Sequence, residues 1–472
     1  MQIFSLAFFG FFAAVFAARW ALGPRFQTAV LFAASIGFYA LYGWGYTLLL
    51  GGCLLLCWAA GLWLSRGGGR GRLALCVALA LSPLALFKYL DPALGALGMA
   101  GFSLVQPVGI SYYTFQMVSY LVDIHRGRLT PERRFFRCAV SLSLFLQITS
   151  GPLTRPRDLL VQLERPQAGF DTAAAVQGAQ LMLLGLFKKA VVADTLAVYT
   201  AAAYDRPQGM YGLSLLVAAV FYSFEIYADF SGYTDLVRGM ARLLGLSLAE
   251  NFTCPYLARS VREFWRRWHI SLSSWLAEYV YIPLGGSRVG TLRRCCNLMA
   301  TFLISGLWHG ASATMLVWGG LHGAFQVAGL LSRPLRQRAA GALHLGEAHP
   351  LRRAFQLLFT FALVTFAWIF FGAPDLSTAW YIVTHLFADF TPTLTYCKDA
   401  LVLLGMTVSG CVRAAVLLAA LVAIDLVSAK DGFCRWLSSR RPPVQAAVCW
   451  LLLFALIFWG NIGGGNSMYF KF

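Results

Sequence analysis

Charge is what this sequence most lacks. Only 12% of its 472 residues are Asp, Glu, Lys or Arg, against 59% hydrophobic residues. That balance lies well outside the composition of a soluble globular domain, so most of the chain is expected to sit in lipid. Uncharged stretches of roughly 20 residues recur along its length, which predicts an all-α polytopic membrane protein of about ten to twelve crossings, some of them re-entrant or interfacial. Other absences narrow the function. The 11 cysteines are scattered through apolar segments with no CxxC pair and no His/Cys ligand spacing, which leaves metal and disulfide frameworks unsupported and points to buried, inert thiols. The glycine-rich stretch 65–72 has neither the lysine nor the strand–helix setting of a phosphate loop and reads as a flexible basic turn. No internal repeat is visible, which weakens a transporter reading, since many transporter folds are built from two related halves.

The charge that is present is mostly basic, a net +18. Its placement is a topology signal: Arg19 and Arg25 follow the first apolar run, 1–18, and Arg66, Arg70 and Arg72 follow the next two, so both groups belong on the cytoplasmic side and the N-terminus faces outward. The first run has no basic residue before it and reads as an uncleaved helix. Anionic lipid headgroups are the next use for the positive charge, and nucleic acid is not expected as a partner. Lys188 and Lys189 interrupt the apolar run 176–204, a pattern that usually marks an interface.

Two histidines stand out. Over residues 261–279, Val261, Phe264, Trp265, Trp268, Leu272, Trp275, Leu276 and Tyr279 recur at helical spacing opposite Arg262, Glu263, Arg266 and Arg267. This predicts one amphipathic helix lying along the cytoplasmic interface or capping a cavity. At about 100° per residue, His269 falls at the margin of its apolar stripe, where an imidazole can meet both a cavity and water, as a site residue or as a snorkelling one. Further on, no charged residue separates Arg294 from Arg333. A helix of that length would reach about 57 Å, nearly twice the thickness of a bilayer core, so the stretch must break. The small residues of 305–312 place the break at His309. An ionisable group at such depth is a functional candidate, and neutral histidine is well suited to take a proton from an alcohol; a hydrogen-bonded packing histidine is the alternative. His322 repeats the glycine-flanked setting closer to the end of the stretch and is read as packing.

The joint order of several motifs resembles the bacterial membrane-bound O-acyltransferases, in particular the alginate O-acetyltransferase branch. The motifs are PVGISYYTFQ (107–116), QxxxGPxxR (Gln147, Gly151, Pro152, Arg155), YADFSGYTD (227–235), NFxxPY (251–256), REFWRRWHISLSSW (262–275), YIPLGGSR (281–288) and SGLWHG (305–310). The resemblance covers most of the chain, densest over 105–325, and implies a single membrane-embedded domain, 1–472, with helices ringed around a central funnel and tunnel. His125, where many relatives carry tyrosine, and the ending 468–472 depart from the pattern.

By resemblance, His309 matches the catalytic histidine of the family and His269 the upstream member of the pair. The implied activity is transfer of an acyl group, acetyl in preference, from a cytoplasmic thioester (acetyl-CoA or an acyl carrier protein) toward a cell-surface or exported polysaccharide. The implied setting is a bacterial cell membrane, with an exported or periplasmic delivery partner and no bound cofactor or metal. Trp308, backbone N–H groups near Gly310 or a protonated His269 could serve the oxyanion. Asp229, Ser231 and Tyr233 line or brace the site, or are ordinary helix-packing groups. Arg155, Arg262 and Arg266 attract a phosphate-bearing donor, or are cytoplasmic anchors. Gln147, Asn251, Trp265, Trp268 and Ser305 complete the candidate lining. D-alanyl transfer to teichoic acid is the alternative within the enzyme class; a transporter or a non-catalytic scaffold is the alternative outside it.

Overall fold

The computed structural model describes residues 3–67, 69–99, 101–165, 167 and 169–461, and among these every regular element is helical. Gly68 of the basic turn, the end of the last apolar run at Ile462 and the ending 468–472 lie outside the described residues. Among the described residues, seven helices are long and apolar enough to cross a membrane: Trp44–Ser65, Arg70–Ala96, Gly212–Leu243, Ala313–Leu331, Pro350–Gly372, Val408–Ser428 and Pro442–Trp459. Leu6–Ala21 is a shorter apolar helix. The rest of the ten to twelve expected apolar runs form shorter or interrupted helices. One is Ile110–His125; another is Thr172–Leu186, which continues through a wide turn at Phe187–Ala193 into Asp194–Asp205.

The chain packs as two compact units. The first takes the described residues up to Leu183 together with Thr234–Glu250. Here Arg19 donates to the carbonyls of Leu244 and Gln27, and Trp20 Nε1–H donates to Leu243 O at 3.1 Å. The bonds to Leu243 and Leu244 satisfy carbonyls that the end of helix Gly212–Leu243 would otherwise leave orphaned. In the same unit lies the QxxxGPxxR turn. A Cβ on Gly151 would sit 2.4 Å from Leu146 O, so only glycine lets the chain double back there.

The second unit takes Leu184–Tyr233 and the described residues from Asn251 to Asn461. Its helices include α1 (Gly212–Leu243, in part), α2 (Val261–Arg267), α3 (Ile270–Leu276), α4 (Thr291–His309), α5 (Ala313–Leu331) and α6 (Pro350–Gly372). The long uncharged stretch breaks where its length demanded. Helix α4 stops at His309, Gly310 is extended, and Ser312 caps α5 by accepting the Met315 N–H. The two helices then fold back on each other with almost no side-chain spacer. A Cβ on Gly306 would lie 2.3 Å from Met315 O, and one on Gly319 2.5 Å from Phe302 O, so backbone meets backbone at both levels.

Two expectations need correction. The single amphipathic helix over 261–279 is instead two seven-residue helices, α2 and α3, separated at Trp268 and His269. The cause is nonlocal. Thr253 N–H donates to Arg267 O and Ile270 N–H donates to Asn251 O, both at 3.0 Å, so the 251–253 segment takes backbone groups that a continuous helix would keep. Nor is Lys188–Lys189 exposed at an interface, because both side chains are buried.

Candidate active site

Both candidate histidines lie in the second unit, on differently built supports. His309 is the last residue of α4, and its ring is walled edge-on by Trp308, Trp318 and Phe371 at centroid distances of 4.7, 5.1 and 5.2 Å. His269 caps α3 in the left-handed region, at φ 42° and ψ 52°. Histidine is among the few non-glycine types enriched there, and the neighbouring structure must still hold it. Asn251 does so twice, accepting Ile270 N–H on its carbonyl and Ser271 N–H on Oδ1 at 3.3 Å. The Phe230 ring meets the His269 ring edge-on at 4.8 Å. His269 is therefore 1% exposed, not poised between cavity and water as its helical register suggested. Burial lowers its imidazole to about 3, so it is neutral over the physiological range.

Trp308 ties the pair together. Its ring lies 4.7 Å from that of His309 and 6.2 Å from that of His269, so the two imidazole centroids are no more than about 11 Å apart. A buried imidazole beside the shared indole can take a proton from a hydroxyl or orient a carbonyl.

The remaining candidates divide. Trp265 donates its Nε1–H to His322 Nδ1 at 3.1 Å, so both belong to an aromatic cluster with Phe264, Trp318 and Trp368 that supports the histidines from behind. Trp268 stacks on Phe264 and meets Trp368 at 4.9 Å in the same cluster. Asp229 is a brace: Lys189 Nζ lies 2.8 Å from its Oδ1 and 2.6 Å from Asp194 Oδ1, a triad in which Lys189 and Asp229 are buried and Asp194 is half-buried. Ser231 and Tyr233 are buried on the same helix, Ser305 is buried one turn before His309, and Arg266 is exposed. Gln147 and Arg155 sit in the first unit, where Gln147 Nε2–H donates to Pro152 O at 2.8 Å and Arg155 to Leu153 O at 3.1 Å, both shaping the glycine turn. Among the described residues, no group of three or more His, Cys, Asp or Glu is placed to hold a metal ion.

Sequence reasoning missed the supports: Lys189 and Asp194, the buried bond from Thr200 to Glu225, and Tyr227 O–H donating to Asp425 Oδ1 at 2.7 Å. The available signal was that each places an ionisable group within an apolar run.

The sequence model of the membrane-bound O-acyltransferase family matches residues 142–372, a range that contains every candidate site residue. A probable alginate O-acetylase of Pseudomonas aeruginosa is 35% identical over 381 residues, 78% of this chain and 71% of its own. A peptidoglycan O-acetyltransferase of Helicobacter pylori is 31% identical over 419 residues, 80% of this chain and 77% of its own. A teichoic acid D-alanyltransferase of Bacillus subtilis is 26% identical over 238 residues, 47% of this chain and 58% of its own.

Proposed function

Because the chain belongs to the membrane-bound O-acyltransferase family, we propose that this multi-pass membrane acyltransferase moves an acetyl group from a cytoplasmic thioester toward hydroxyls of a cell-surface or exported polysaccharide. The observation that carries the acetyl reading is coverage. The two O-acetylating relatives extend over 78% and 80% of this chain, while the D-alanyltransferase extends over 47%. The donor is acetyl-CoA or an acyl carrier protein, the membrane is the bacterial inner membrane, and an exported protein completes delivery to the polymer.

In this reading His309 takes the proton of the accepting hydroxyl as that oxygen attacks the thioester carbonyl, and returns it to the departing thiolate. His269 orients the reacting groups across Trp308. The buried, aromatic walls favour this chemistry twice: burial keeps the His269 imidazole neutral, and the walls keep water from competing as the acceptor. The burial of His269 and the shared indole wall support these roles.

Mass spectrometry of surface glycans from cells with and without the gene tests the proposal. Acetyl esters that appear only with the gene are the expected result. Gene-dependent D-alanyl esters would replace acetyl transfer by alanyl transfer, and substrate movement without any ester would replace both by transport.

A further inference from the structure

We propose that the Ser305 hydroxyl is a substrate-binding donor, holding the acyl carbonyl oxygen beside His309 as it becomes an oxyanion. The inference deepens the acyl-transfer reading and rests on it.

Ser305 lies four residues before His309 and three before Trp308 on α4, so the three side chains share one face of the helix. That face looks toward the second histidine, since the Trp308 ring is 6.2 Å from the His269 ring. Ser305 is 1% exposed, and among the described residues its Oγ has no hydrogen-bond partner. A buried serine in a helix has a ready local solution, donating to the carbonyl four residues back. Thr301, one turn earlier on the same face, takes that solution and bonds Asn297 O at 2.7 Å. Ser305 does not. Its hydroxyl stays unspent on the helix face that also carries Trp308 and His309. An unspent buried donor costs stability unless something else uses it. The neighbourhood holds a second such donor, Trp318 Nε1–H, on the indole whose ring lies 5.1 Å from His309.

The chemistry needs a donor here. When the hydroxyl oxygen bonds to the thioester carbon, the carbonyl π pair moves onto its oxygen, and that oxygen carries the charge until the C–S bond breaks and the π bond re-forms. The proton lost by the attacking hydroxyl goes to His309 and then to the thiolate sulfur. Ser305 keeps its own proton throughout and donates a hydrogen bond that strengthens as the charge develops, which lowers the barrier more than it tightens binding.

The test compares wild type, Ser305→Ala and Ser305→Thr, each purified in detergent, for transfer of acetyl from a small acetyl thioester to an oligosaccharide, with thermal unfolding measured alongside. The proposal expects Ser305→Ala to lose roughly 10²-fold in kcat with KM little changed, while its unfolding temperature is unchanged or raised because an unsatisfied polar group has gone. Ser305→Thr, which retains a hydroxyl, should recover part of the rate. Ser305→Ala with wild-type kcat would overturn the proposal. So would a loss of rate in Ser305→Ala matched by a loss of thermal stability, since that marks a structural role. Wild type that transfers D-alanyl but not acetyl from the matching thioesters would refute the acetyl reading and leave the Ser305 comparison to be read with the active donor, because both share the thioester carbonyl. Wild type that transfers neither would sink both.

Discussion

The hairpin that presents His309 makes a sharp prediction at Gly306. A Cβ there would lie 2.3 Å from the Met315 carbonyl oxygen, a backbone atom in the first turn of α5. Real Cβ contacts essentially never fall below 3.0 Å, so Gly306→Ala must force α4 and α5 apart locally by at least about 0.7 Å. The displacement arises one turn from His309, and misplacement of a catalytic group by about 1 Å can cost about 10²-fold in rate. Overpacking itself costs about 1–3 kcal/mol. Gly306→Ala should therefore lose one to two orders of magnitude in acetyl transfer and unfold at a lower temperature in detergent. Gly320→Ala is the control. Its added Cβ would find only Leu303 Cδ2 at 3.9 Å, and alanine improves helix propensity by up to about 1 kcal/mol. If Gly306→Ala and Gly320→Ala proved equal in both rate and unfolding temperature, the account of the hairpin as a rigid platform for His309 would be wrong.

His309→Ala should abolish acylation while the protein remains inserted and abundant, because a general base is worth about 10²–10⁴-fold; near wild-type turnover by the purified variant would end its catalytic assignment. Lys189→Met strands Asp194 and Asp229 in a buried setting and should cost about 3–5 kcal/mol, with Lys189→Met/Asp229→Asn recovering part of it, so a thermally wild-type single variant would refute the triad. Trp265→Phe removes the N–H that His322 Nδ1 accepts, and should destabilise by about 1–3 kcal/mol while kcat per folded molecule stays unchanged; a fall in kcat at full stability would move Trp265 from support to chemistry.

What could be read from the sequence depended on how far away the deciding interaction lay. The break at His309 was legible because the constraint is local and absolute: an uncharged stretch longer than a bilayer must turn, and it turns at small residues. The break at His269 was invisible because the apolar spacing runs through it without a fault. The interruption is imposed by Asn251 and Thr253, upstream residues whose hydrogen bonds no periodicity records. The paired lysines misled for the same reason. A hydropathy profile scores Lys189 as a charge that must reach water, whereas Asp229, far along the chain, supplies its partner inside the unit. The motif residues Gln147 and Arg155 carried a family resemblance, and their hydrogen bonds to Pro152 and Leu153 shape the turn at Gly151.

The two candidate histidines stand on unlike backbones. His309 sits at the end of a helix whose partner touches it backbone to backbone, so its position is fixed by close packing along α4 and α5. His269 sits in a left-handed conformation that typically costs a non-glycine residue about 1–3 kcal/mol and persists only where the surroundings over-determine it. Those surroundings are Asn251 on the backbone and Phe230 on the ring, and Phe230 directly follows Asp229, the residue clamped by Lys189. That ion triad thus sets the helix face that sets the aromatic wall of His269. The pair is held from two directions that meet at Trp308 and in the aromatic cluster behind it, so strain entering at the His269 support acts first on the distance between the imidazoles. Substitutions at Lys189 or Asp229 that leave the chain folded should therefore lower kcat through His269, and wild-type kcat in a folded Asp229→Asn protein would refute this coupling.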